Sequence, residues 1–175
     1  MEYAIEKALP ILEKTPAVLQ LLLGGLADEW VKTNEGPETW SAYDVVGHLL
    51  HGERTDWMAR IKKCLVEDAE VKKFIPFDRF AQMRESEGKT LAELLEGFAA
   101  ARRQNLDELR SLNLTEGDFD KTGVHPAFGT VTLRQLLSTW VAHDLAHTAQ
   151  IVRVMAKQYK DAVGPWGEYL SIMQR

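Results

Sequence analysis

His143 and His147 stand four residues apart in the run Trp140-Val-Ala-His143-Asp144-Leu-Ala-His147-Thr-Ala-Gln150. On a helix that spacing puts both imidazoles on one side, where they can converge on a single ion. Around them Leu133, Leu136, Leu137, Trp140, Ile151, Val154 and Met155 share one face at about 100° per residue. The stretch from Thr132 to Tyr159 therefore reads as an amphipathic helix. His147 lies near the centre of its apolar face, Asp144 within that face and His143 on its flank. Polar groups at positions bound for the interior cost free energy unless they are paired or hold a ligand. Taken alone, such a pair also fits one hydrogen-bonded core histidine beside a partly exposed one.

The same anomaly recurs in two other segments. Ser41 to Asp44 forms a capping-box variant that opens a helix expected to run to about Glu67, with Val46, Leu49, Leu50, Trp57 and Ile61 as its apolar face. Glu53 falls inside that face and His48 at its edge, while His51 turns about 60° further out, towards solvent. Thr90 to Glu93 opens another helix, ending near Leu112, whose face of Leu91, Leu94, Leu95, Phe98, Leu106 and Leu109 includes Arg102 and Asn105. A buried arginine needs a carboxylate or an anionic ligand, so Arg102 pairs with Glu53 or Asp144, or holds an anion on a substrate.

These elements must bring the polar residues together. The first segment, from Tyr3 to Leu12, reads helical, and Thr15-Pro16 reads as a cap that restarts a helix ending at Gly24-Gly25. Residues 28–39 and 113–131 read as loops, and 69–89 as irregular. Gly164-Pro165 marks the end of the last helix, with Trp166 and Tyr169 expected to pack back as a short terminal piece. No strand pattern, repeat or low-complexity run is visible. Four long amphipathic segments describe an all-α four-helix bundle, in one domain over residues 1–175.

Bundles build metal sites from inward-facing side chains on neighbouring helices. His48, His143 and His147 are the candidate ligands of one divalent transition metal, zinc or nickel, with a position left open for water or substrate. Asp144, Glu53 or Gln150 could orient an imidazole through its second nitrogen, and Gln150 could also reach the open side of the ion. His125, before Pro126, reads as a turn residue that could border a pocket mouth. Trp57 and Trp140 read as core, and Cys64 as an inert thiol.

The segments Trp40-Ser-x-x-Asp-Val-Val-Gly-His48-Leu-Leu-His-Gly-Glu53, His125-Pro-Ala-Phe-Gly-Thr-Val-Thr-Leu133 and His143-Asp-Leu-Ala-His147-Thr-Ala-Gln150 resemble the DinB/YfiT-like superfamily of metal-binding bundles. The resemblance implies an up-down-down-up topology and one histidine from the second helix joined to the HxxxH pair of the last, which again gives His48, His143 and His147. It implies thiol-dependent transferases and isomerases among the relatives. An open metal position could activate a low-molecular-weight thiol for transfer to a small electrophile, or water for hydrolysis. A non-catalytic metal or small-molecule binding protein is the other class, and a purely structural bundle the third.

Composition bounds the partners. At a net charge of −5 with no basic stripe, nucleic acid is not expected. The longest apolar run, residues 17–26, is too short to span a bilayer, and no signal peptide is recognisable at the N-terminus. The single cysteine excludes an intrachain disulfide and a cysteine-based metal site, so a cytoplasmic protein with a small-molecule substrate is expected. A homodimer is compatible with this size, without a patch in the sequence to specify it.

Overall fold

The computed structural model describes residues 3–174. Its framework is α1 (Ile5–Leu23), the pair α3 (Ala42–Thr55) and α4 (Trp57–Leu65), α6 (Leu91–Ser111) and α7 (Leu133–Lys157). Two short helices, α2 (Asp28–Lys32) and α5 (Ala81–Ser86), sit in the connections, and a hairpin of β1 (Thr122–His125) and β2 (Gly129–Thr132) leads into α7. Capping boxes open α3, α6 and α7: the side chains of Ser41, Thr90 and Thr132 each accept from the backbone N–H three residues on, and the residue there returns the bond. No helix among the described residues is long and apolar enough to cross a membrane.

Packing partners fix the topology. α1 and α3 each lie against both α6 and α7. Along α3 and α6, Tyr43 meets Lys89, Leu50 meets Gly97 and Glu53 meets Arg102, so these helices run parallel. His48 faces His147 while Glu53 faces Trp140, so α3 and α7 run antiparallel. Leu12 packs with Leu106, Leu109 and Leu133, whereas Leu19 and Leu23 pack with Leu94, Leu95 and Ile151. α1 therefore opposes α6 and follows α7. The result is an up-down-down-up four-helix bundle.

Several local expectations are corrected. α1 does not restart at Thr15; it runs unbroken through Pro10 and Pro16. The Thr15 hydroxyl instead donates to the Ile11 carbonyl at 3.0 Å, a bond available only inside a formed helix. Pro16, lacking an N–H, leaves the Leu12 carbonyl without its helical donor, and Nη1 of Arg102 donates to it at 2.8 Å. The second long helix is broken at Asp56, where φ and ψ are −112° and −66°. Immediately before the break the Thr55 hydroxyl donates to the His51 carbonyl, one turn back, at 2.8 Å, and such back-bonding bends helices.

The hairpin was not visible as a strand pattern because each strand is only four residues long. It is held from outside: Phe74 N–H donates to the Val124 carbonyl, and Val124 N–H to the Lys72 carbonyl, both at 2.9 Å. Gly123 is required by that packing, since a Cβ there would lie 2.3 Å from the Phe74 ring. At the far end, Trp166 and Tyr169 do not pack back; they are 72% and 84% exposed, and the segment Ser171–Met173 touches α7 instead.

Candidate metal centre

α3 and α7 cross so that three imidazoles converge. Nε2 of His48 lies 3.1 Å from Nε2 of His143, and one nitrogen from each of His48, His143 and His147 falls within 4.8 Å of the other two. A tetrahedral ion with nitrogen ligands at about 2.05 Å sets them about 3.3 Å apart, so the cluster could close on an ion with small side-chain shifts. The donor set fits a borderline transition metal.

Electrostatics favours the form that binds a cation. Burial, with lesser contributions from His147, His51 and Arg79, lowers the His48 pKa to about 3. Burial, then His147, His48 and Arg102, likewise lowers His143 to about 3. His147 is lowered by burial, partly offset by its bond to Gln150. All three rings are therefore neutral near pH 7, with a lone pair to offer.

One tautomer is dictated. Nδ1 of His147 lies 2.8 Å from Oε1 of Gln150, and a carbonyl oxygen can only accept, so the proton sits on Nδ1 and leaves Nε2 free. Of the three residues that could have oriented an imidazole, Gln150 is the one that does. Nδ1 of His48 and of His143 have no hydrogen-bond partner among the described residues. Rings hold the cluster on its other sides: Trp40 lies 4.9 Å from His48 and stacks on His147 at 6.3 Å, while Trp57 meets His143 edge-on at 5.2 Å.

Asp144 and Glu53 serve a different group. Arg102, 1% exposed, donates from Nη1 to Asp144 and to the Leu12 carbonyl, and from Nη2 to Asp144 and Glu53, all at 2.6–2.8 Å. Glu53 also accepts from Asn105 at 2.9 Å and from the indole N–H of Trp140 at 3.1 Å. All four terminal N–H groups of Arg102 are thus used, and its fifth, on Nε, is buried without a partner among the described residues. Phe98 and Trp140 face the guanidinium at 4.9 and 5.3 Å.

His51 is not in solvent. It is 5% exposed, with Nδ1 3.0 Å from a Glu85 carboxylate oxygen. The face of α3 that points away from the four-helix core is covered by α5, which lies in the stretch read as irregular; the Ser86 side chain lies only 2.5 Å from where a Cβ of Gly47 would stand. Cys64 is buried, and burial pushes its thiol up to about 11, as an inert thiol should be.

Two pockets meet at the cluster. One, of about 270 Å³, is bordered by His48 and His143 and walled by Trp57, Phe74, Phe77 and Phe128, with Asp56, Arg60 and His125 also lining it. The other, of about 570 Å³, is bordered by His48 and His147 and lined by Trp40, Gln150, Arg79, Arg153 and Glu35. Arg153 and Lys157 both pair with Glu35, at 2.7 and 2.9 Å. Phe74, Phe77 and Phe128 carried no sequence signal, since they stand singly in loops; only Phe128, in the segment His125 to Leu133, lay in a motif already noted.

The family model of the DinB superfamily matches residues 11–151. The chain is 28% identical over 147 residues to the uncharacterized protein YuaE of Bacillus subtilis, covering 77% of this chain and 89% of YuaE. Its fold is also that of YfiT from Bacillus subtilis, at a TM-score of 0.73 and 24% identity over 87% of this chain and 86% of the other. YfiT is described as a probable metal-dependent hydrolase with an unusual four-helix bundle topology.

Proposed function

The chain belongs to the DinB superfamily, and from that premise and the geometry of the three imidazoles we propose that it is an enzyme dependent on one divalent transition metal, zinc or nickel. His48, His143 and His147 hold the ion. The observation that carries this reading is the convergence of three neutral nitrogen donors where two pockets meet. Three imidazoles leave a further position open, and the ion supplies Lewis acidity there that makes a bound thiol or water nucleophilic near neutral pH.

The chain's own groups prepare that chemistry. Burial keeps the imidazoles neutral, Gln150 sets the tautomer of His147, and Trp40 and Trp57 limit water around the rings. Access from two sides suits two substrates. Arg79 and Arg153 on the polar side suit the charged part of a low-molecular-weight thiol, and the aromatic side suits a small electrophile. Thiol transfer is therefore our first reading, in a reducing cytoplasm where such thiols persist. Hydrolysis is the second, supported by the description of YfiT.

One assay separates them. Metal-loaded protein is given cysteine with 1-chloro-2,4-dinitrobenzene, and separately p-nitrophenyl acetate without thiol. Thiol-dependent arylation that is lost with chelator supports transfer. Ester cleavage alone supports hydrolysis, and silence in both, with metal bound, supports a binding protein.

A further inference from the structure

The smaller pocket carries a donor that the metal reading does not use. His125 stands at the end of β1, and its Nδ1 accepts from the backbone N–H groups of Ala127 at 3.1 Å and Phe128 at 3.3 Å. That lone pair is occupied, so the proton sits on Nε2, at the other end of the ring. The Phe128 ring stacks on the imidazole at 4.5 Å and 15°, which fixes its plane. Phe128 is itself 77% exposed, an unusual position for a phenylalanine, and it lines the same cavity. The imidazole is neutral, because burial and then Arg60 lower its pKa. A held, neutral N–H donor thus borders a cavity that has Trp57, Phe74, Phe77 and Phe128 as apolar walls, the Asp56–Arg60 ion pair at one edge, and His48 and His143 at its end.

Size and chemistry narrow the guest. An apolar cavity of about 150 Å³ suffices for benzene, so about 270 Å³ holds one aromatic ring with a few further heavy atoms. We propose that this cavity binds a small aromatic or flat apolar substrate whose carbonyl-type oxygen accepts a hydrogen bond from Nε2–H of His125. The inference deepens the metal reading and rests on it, since the ion at the cavity's end would act on what the cavity holds.

Acetophenone and ethylbenzene, which differ chiefly in the carbonyl, are suitable probes, titrated by ligand-observed NMR with metal content measured on the same samples. Wild-type protein should prefer acetophenone by about fivefold, the worth of one hydrogen bond. His125→Asp keeps an oxygen for the turn N–H groups but carries no N–H when ionised, and should bring the two probes to equal affinity. Thr139→Trp fills the cavity from an exposed helix position and should abolish binding of both. No binding to wild type, binding unchanged by Thr139→Trp, or a preference surviving His125→Asp would each overturn the proposal. Neither variant touches the three histidines, so full metal content with failed probe binding rejects the cavity alone. The expected probe pattern in protein that takes up no metal rejects the metal reading and leaves the cavity assignment standing.

Discussion

Two polar sites interrupt the interior of this bundle, one turn apart, and they are built on opposite terms. Around Arg102, every carboxylate oxygen of Glu53 and Asp144 accepts at least one hydrogen bond, and the guanidinium spans Phe98 of one apolar cluster and Trp140 of the other. There only Nε of Arg102 lacks a partner among the described residues; at the histidines two ring nitrogens lack one, two Nε2 atoms face each other, and both neighbouring pockets reach the rings. His143 and Asp144 are adjacent in sequence yet belong to different sites. A polar residue on an apolar helix face is thus ambiguous by itself. Whether its hydrogen bonds close on other protein groups separates a structural network from a binding site.

The comparison breaks most visibly at Arg102. Arg102→Ala leaves Glu53 and Asp144 buried without their cation, and should cost about 3–5 kcal/mol in chemical denaturation. A loss under about 1 kcal/mol would mean that the network is solvated and the contrast false.

Acid titration probes the other site. In metal-free protein His48 and His143 have folded pKa values near 3, below the ordinary 6.5, so the unfolded chain binds protons that the folded protein does not. Their contribution to stability is therefore complete above about pH 6.5 and is lost as pH falls towards 3, at up to ~1.4 kcal/mol per pH unit for each histidine. Denaturant midpoints measured across that range should fall, and His48→Gln with His143→Gln should flatten the slope. An unchanged slope would show that the rings are solvated when folded.

A smaller effect is expected at Gln150. Gln150→Leu removes the acceptor that sets the His147 tautomer, and should weaken metal affinity by 10–100-fold in a competitive chelator titration, with little change in metal-free stability. Affinity within twofold of wild type would remove Gln150 from the site.

Much of this was legible in the sequence, for identifiable reasons. The capping boxes at Ser41 and Thr90 and the 3.6-residue periodicity placed the starts of α3, α6 and α7 where they occur, because both signals are local. The gathering of His48, His143 and His147 followed from which faces were apolar. What escaped notice depended on distant partners. Pro16 read as a helix start because the donor that tolerates it mid-helix, Arg102, lies 90 residues away from Leu12. His51 read as exposed because its cover, α5, is too short to show periodicity. Residues 122–131 read as a loop because the hairpin is stabilised by pairing with residues 72–74 rather than by alternation of its own. The assignment of Asp144 and Glu53 to Arg102 rather than to an imidazole needed side-chain geometry.

If the histidine cluster holds a metal and the Arg102 network does not, the difference is measurable. The most direct test is elemental analysis of wild-type protein and His147→Ala after equilibration with zinc or nickel and removal of free ion, with thermal melts of both in chelator. About one metal per wild-type chain and none in His147→Ala are expected, with metal-free melting temperatures close together. Stoichiometric metal retained by His147→Ala, or no uptake by wild type, would contradict the metal assignment.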